Sequence, residues 1–269
     1  MFLAQSISYL DFLEYISPIT DILLLIVTVV SVVYAYKAYK HQKERSKKEA
    51  ACQLAKYYAN NIICKFSDVV GILDETGVGK IVKETFPLRI IEKFDKEEMQ
   101  QLLKDAGRTS EDLKFDKIDP AIILRRKLAS TYSVSERDII TKGYIKKDND
   151  GKEIIVDGIY LVHGFFQEIV DLLNELEWFA MNCHYGLADE ELLYQSLHQT
   201  FLSTIWLLYY AISGMNDTNE DKAFTNVIWL FDKWRDRLVK ITDAVKEEKD
   251  AHLKAAESVK APIYEGHRL

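Results

Sequence analysis

Proline is scarce in this chain. Four occur among 269 residues, Pro18, Pro87, Pro120 and Pro262, so long stretches hold nothing that removes a helical N–H or clashes with the preceding turn. Cysteine is scarcer: Cys52, Cys64 and Cys183 make an odd count with no C-x-x-C spacing. That excludes a disulfide frame and points to reduced cytosolic thiols. Positive charge is missing from the start, because residues 1–36 carry Asp11, Glu14 and Asp21 and no Lys or Arg. A cleaved signal peptide needs a basic n-region and a small-residue cleavage site, and neither is present. The net charge of −7 argues against nucleic acid as a partner, since such proteins carry a basic patch. What remains, with eleven glycines, 48% hydrophobic and 29% charged residues, is an ordinary globular balance with room for one or two domains.

Catalytic motifs are missing too. DETGVGK resembles a phosphate loop, but Asp74 and Ile81 stand where the first Gly and the Ser or Thr are required. No Arg has a His five positions after it, so the R-x4-H signature of one helical RNase class is absent. His163, Gln167, Asp171 and Glu175, with Glu168 adjacent, lie opposite an apolar stripe and read as a solvated face. Cys183-His184, near Asp189 to Glu191, offers metal-ligand types without the second spaced pair that a site needs. Trp178, Trp206, Trp229 and Trp234 fall at helical spacing and read as packing residues. The expectation is no enzyme, no cofactor and no metal.

What the chain does have is one apolar run. Ile22 to Tyr36 is fifteen residues without a charge, about 22 Å of helix. A span needs about 20 such residues, so the expected transmembrane helix is 19–38. Its apolar body is Ile22, Leu23, Leu24, Leu25, Ile26, Val27, Val29, Val30, Val32 and Val33. Thr28 and Ser31 can return their hydroxyls to carbonyls one turn back. Tyr34, Tyr36 and Tyr39 fit an interfacial aromatic belt. Lys37, Lys40, Lys43, Arg45, Lys47 and Lys48 follow at once, against the single Glu44. These six are the expected lipid-headgroup ligands, at about 1 kcal/mol each near an anionic surface. By the positive-inside rule the C-terminal side is cytoplasmic and the N-terminus outside. Asp21, at the outer edge, is the candidate pore or interface residue.

Before the span, residues 1–18 read as an amphipathic segment ended by Ser17-Pro18. Beyond it, residues 39–73 read as a stalk helix. There Ala51, Ala55, Tyr58, Ile62, Phe66, Val69 and Leu73 make one stripe that belongs to a core or to a partner. A continuous helix to Leu73 would be about 80 Å long. Residues 74–156 read as an irregular helical region. It holds a helix from Pro87 to Leu103, a short one from Ala121 to Thr131, and a hairpin at 144–156 turning at Asp148-Asn149-Asp150-Gly151. Residues 157–257 read as three antiparallel helices. Their stripes are Val162, Phe166, Ile169, Leu173, Leu176 and Ala180; Leu193, Leu197, Phe201, Ile205, Leu208 and Ile212; and Phe224, Ile228, Phe231, Leu238, Ile241 and Val245. Gly186 suits a C′ position, Asp189 to Glu191 a helix start, and Asp217 or Thr218 the last cap. Residues 258–269 are a polar tail. The fold class is all-α: a membrane helix running into a stalk, then a cytoplasmic helical bundle with a small β-hairpin.

Leu173-Asn174-x-x-Glu177-x-x-Ala180, followed by Gly186-Leu187-x-Asp189-Glu190-Glu191-Leu192-Leu193-Tyr194, resembles an uncharacterised bacterial family. Its members have one N-terminal membrane helix, a basic stalk and a helical cytoplasmic domain. The resemblance covers two helices and the anchor layout. It implies a single-pass protein of the bacterial inner membrane, and similar proteins occur among phage-defence effectors. Three functions are therefore carried forward. The first is a membrane-perturbing anti-phage effector that binds a protein partner and oligomerises through its stalk and cytoplasmic helices. The second is a passive tether or interaction scaffold, and the distant third a divergent nuclease.

Overall fold

The computed structural model describes residues 9–113, 118–131, 145–147, 153–155, 158–216 and 222–258. Helix α1 (Tyr9–Tyr57) passes through a π turn (Tyr58–Ile62) into α2 (Ile63–Glu75). The rod from Ile22 to Glu75 has 54 residues, about 80 Å. The break expected at Ser17-Pro18 is not there, because α1 continues across it. A proline inside a helix removes one bond to the carbonyl four residues earlier, and the surrounding turns hold. The π turn admits one extra residue, and Tyr58 and Ile62, four apart on one face, are both fully buried. Asn61 Nδ2 donates to the Tyr57 carbonyl at 3.2 Å within it.

Among the described residues six further α-helices follow: α3 (Val78–Thr85), α4 (Lys96–Asp105), α5 (Pro120–Thr131), α6 (Gly158–His184), α7 (Glu190–Met215) and α8 (Thr225–Ser258). The helix expected from Pro87 begins only at Lys96. Asp95 caps it, taking the Glu98 N–H at 2.8 Å. The Glu98 carboxylate turns back onto the N–H groups of Glu92, Lys93 and Phe94 at 2.7, 2.9 and 3.0 Å. This reciprocal box stops helix from propagating back to Pro87 and holds Phe94 at a φ of 52°. Ile145–Lys147 and Glu153–Ile155 pair antiparallel with Ile145 opposite Ile155. The turn of the expected hairpin lies outside the described residues, as do Asp217 and Thr218.

Ala51, Tyr58, Ile62, Val69 and Leu73 share one continuous buried core with Phe179, Phe201, Phe231 and Trp234. The stalk stripe is thus part of the chain's own interior. The end of α1 lies against α7, α2 against α6, α3 and α4 against α7, and α8 against both α6 and α7. Helix α6 runs back along the rod, with Trp178 on Tyr57 (ring centroids 5.2 Å) and Phe179 on Tyr58 (4.9 Å). Residues 157–257 are therefore not a free-standing bundle. Helices α6 and α7 meet through Phe179 and Phe201, 5.9 Å between centroids, while the rod packs on both. Of the expected α6 stripe, Ile169, Leu173, Leu176 and Ala180 are buried, but Phe166 is exposed, and Phe165, Leu172 and Phe179 widen the buried face. On α8, Val227, Leu230, Phe231 and Trp234 are buried, whereas Ile241 and Val245 are exposed.

Candidate membrane-proximal site

The ten apolar side chains from Ile22 to Val33 are between 47% and 68% exposed, and none of this apolar stretch is buried within the chain. A core helix hides at least one face, so this segment is not one. Leaving such side chains in water forgoes about 1.5 to 3 kcal/mol each. Thr28 donates to the Leu24 carbonyl (2.8 Å) and Ser31 to that of Val27 (2.7 Å), so neither hydroxyl needs an outside partner. Tyr34, Tyr36 and Tyr39 are exposed at the following end. The backbone of Asp21 is helical, and its side chain lies outside the described residues.

The basic collar occupies the next three turns of the rod. Arg45 pairs with Glu49 at 2.8 Å. Among the described residues Lys37, Lys40, Lys43 and Lys48 have no carboxylate partner. Lys47 meets the body of the protein: its carbonyl accepts the Asp189 N–H at 3.1 Å. The α6–α7 turn therefore sits against the collar. Gly186 has a φ of 62°, which suits glycine, and Lys47 Nζ lies 3.4 Å from where a Cβ would stand. Leu187 N donates to Asn182 O at 3.0 Å and Gly186 N to Cys183 O at 3.2 Å, a complete Schellman motif. Tyr39, Gln42, Lys43, Ser46 and Lys47 line one open cleft with Gly186 and Leu187. In such motifs the residue at the Leu187 position commonly packs back on its own helix, yet Leu187 is 56% exposed and Tyr185 68%.

The junction residues behind this turn are committed to packing. Glu177 accepts Asn226 N (3.1 Å), Asn226 Nδ2 (2.7 Å) and Val227 N (2.9 Å), so a carboxylate of α6 satisfies the first turn of α8. Glu190 accepts Trp234 Nε1 at 2.6 Å and Lys233 Nζ at 2.7 Å. Arg237 grips Glu191 with both guanidinium nitrogens at 2.5 and 2.6 Å, which holds that carboxyl below its ordinary range. Asp189 caps α7 through the Leu192 N–H at 3.2 Å. His184 Nδ1 is 2.7 Å from Asn226 Oδ1, and its ring stacks on Trp229 (4.2 Å) and Tyr185 (5.1 Å). Burial, then the charge of Glu190, push the Cys183 thiol up to about 12. His163 is exposed, Gln167 bonds Asp171 at 3.0 Å, and Glu175 is drawn to Lys65 on α2.

The structure therefore gathers Lys43 and Lys47 with Gly186 and Leu187, and spreads the other collar residues along the rod. Sequence reasoning had marked Gly186 as a helix stop but gave no role to Tyr185, Leu187 or the Glu177 cap. An exposed Leu and a buried one look alike in sequence. Glu177 is far from α8 along the chain, so nothing local signals their contact. No family model, no curated protein and no solved structure matches this chain.

Proposed function

We propose that this chain is a single-pass protein of a bacterial inner membrane, with its N-terminus outside and a cytoplasmic helical body that binds a protein partner. One observation carries the reading: Ile22 to Val33 is wholly apolar and wholly unburied on a helix that elsewhere forms core. The asymmetry of charge supports the orientation, since six basic residues follow the apolar run Ile22 to Tyr36 and none lies between Met1 and Asp21. Chemistry is not part of this reading, because the junction carboxylates and His184 are engaged in capping and stacking.

Between tether and membrane-perturbing effector, the tether is favoured. The Ala51–Leu73 stripe, the natural surface for assembling an oligomer, is occupied in cis. The effector reading, with anti-phage defence as its biology, keeps one observation in its favour. Ile241 and Val245, one turn apart on the far half of α8, are exposed and offer a second surface for self-association.

Alkaline extraction of membranes tests the anchor. The native chain is expected in the pellet. Val30→Lys, at a cost of about 2.5 to 3.5 kcal/mol of insertion energy, is expected in the supernatant. A native chain released by alkali alone overturns the span.

A further inference from the structure

We infer that the Tyr185–Leu187 turn is a second, rigid contact with the bilayer, closing with Lys43 and Lys47 around the headgroup of an anionic phospholipid. This inference rests on the span proposed above. Tyr39 is the first residue after the 19–38 segment, and Tyr39 to Lys43 is one helical turn, about 5.4 Å of rise. The polar layer of one leaflet is about 5 to 8 Å deep. Leu187 shares a cleft with both residues, so it lies at headgroup depth.

Three features fit that place. Leu187 and Tyr185 expose apolar surface on a turn that is fixed. The Schellman bonds, the Lys47–Asp189 bond and the Tyr185–His184–Trp229 stack all hold it. Little ordering entropy is therefore left to lose on contact. Lys43 has no carboxylate partner among the described residues, and Lys47 Nζ lies over Gly186, so two ammonium groups border the cleft. The cleft is also continuous with the collar that follows the span. Anionic phosphate at a surface rich in such lipids is the ligand of matching charge and position. The consequence is orientation: with the span and the turn both held, rod and body together cannot tilt freely relative to the membrane normal.

The test uses the full chain in phosphatidylcholine vesicles with and without phosphatidylglycerol. Cys52 and Cys64, both exposed, are replaced by Ser, and an environment-sensitive dye is placed at Leu187→Cys, Tyr160→Cys or Val30→Cys. Tyr160 is exposed near the start of α6, remote from the turn. The expected result is several-fold stronger quenching by headgroup nitroxide at 187 than at 160. That quenching should depend on phosphatidylglycerol and be lost in Lys43→Gln/Lys47→Gln. Equal quenching at 187 and 160, with 30 quenched by chain nitroxide, overturns the inference and leaves the span standing. Quenching at 187 that ignores both lysines overturns the assigned headgroup site. A dye at 30 that chain nitroxide does not reach overturns the span and this inference together.

Discussion

Single residues show how the body is locked. Cys183 is buried and its thiol is pushed up to about 12, whereas Cys52 and Cys64 are exposed. Maleimide at neutral pH should therefore label two thiols per folded chain, and a third only in denaturant; mass spectrometry counts them. Glu177 receives three N–H groups of α8. Glu177→Gln should cost about 1.5 to 3 kcal/mol, the range for bonds to a charged group. Glu175→Gln loses a part-exposed pair with Lys65 and keeps an acceptor for Tyr57, and should cost about 0 to 1 kcal/mol. Urea melts of the two variants rank them, and equal losses would contradict the cap. Asp232 behaves differently. Burial raises its carboxyl from 3.8 to about 6, opposed by Arg235 and reinforced by Asp236, Glu98 and Glu92. The folded chain therefore holds that proton more tightly than the unfolded chain. Its contribution is complete below about pH 4 and lost as pH rises through 6. Asp232→Asn should match the native chain near pH 4 and exceed it in stability at pH 7, as paired denaturant melts will show.

At the scale of elements, periodicity in the sequence named buried positions but not how many faces of a helix are covered, since α7 also buries Tyr194, Leu202, Leu207, Tyr209 and Ala211. All six expected positions of α7, from Leu193 to Ile212, are buried, and so are Ala51, Tyr58, Ile62, Val69 and Leu73 of the rod. It failed where distant contacts decide. On α6 it placed Ile169, Leu173, Leu176 and Ala180 but named Phe166 and missed Phe165, Leu172 and Phe179, because both the rod and α8 pack on that helix. The α8 stripe continues to Val245 in sequence but loses its neighbours after Leu238. The late start of α4 depends on Glu98 reaching back to three N–H groups and also accepting Tyr209 OH at 2.8 Å. That last bond crosses 111 residues, which no local pattern signals. Phe201, fully buried between Phe179 and Trp234, tests the shared core. Phe201→Ala should cost about 3 to 5 kcal/mol. His163→Ala, on the exposed face of α6, should change stability by less than about 0.5 kcal/mol. A large loss at His163 would mean that this face is covered by something.

For the whole molecule, the same rod carries an unburied apolar segment at one end and core at the other. The unburied apolar segment and the core are thus joined by one continuous helical rod from Ile22 to Glu75. Partner identity was never legible, because recognition surfaces have no local period and no motif here names a ligand. A tether and a pore differ in what they ask of the span. Exchange of residues 1–38 for an unrelated N-out span should preserve function in a tether and abolish it in a pore, as should Asp21→Asn if that side chain lines an oligomeric mouth. The central claim, however, is that the basic flank holds the body on the cytoplasmic side. A compartment-specific reporter fused after Leu269 measures this directly. A fusion active in the cytoplasm and silent as a periplasmic phosphatase is the expected result. Periplasmic activity from the same junction would contradict it.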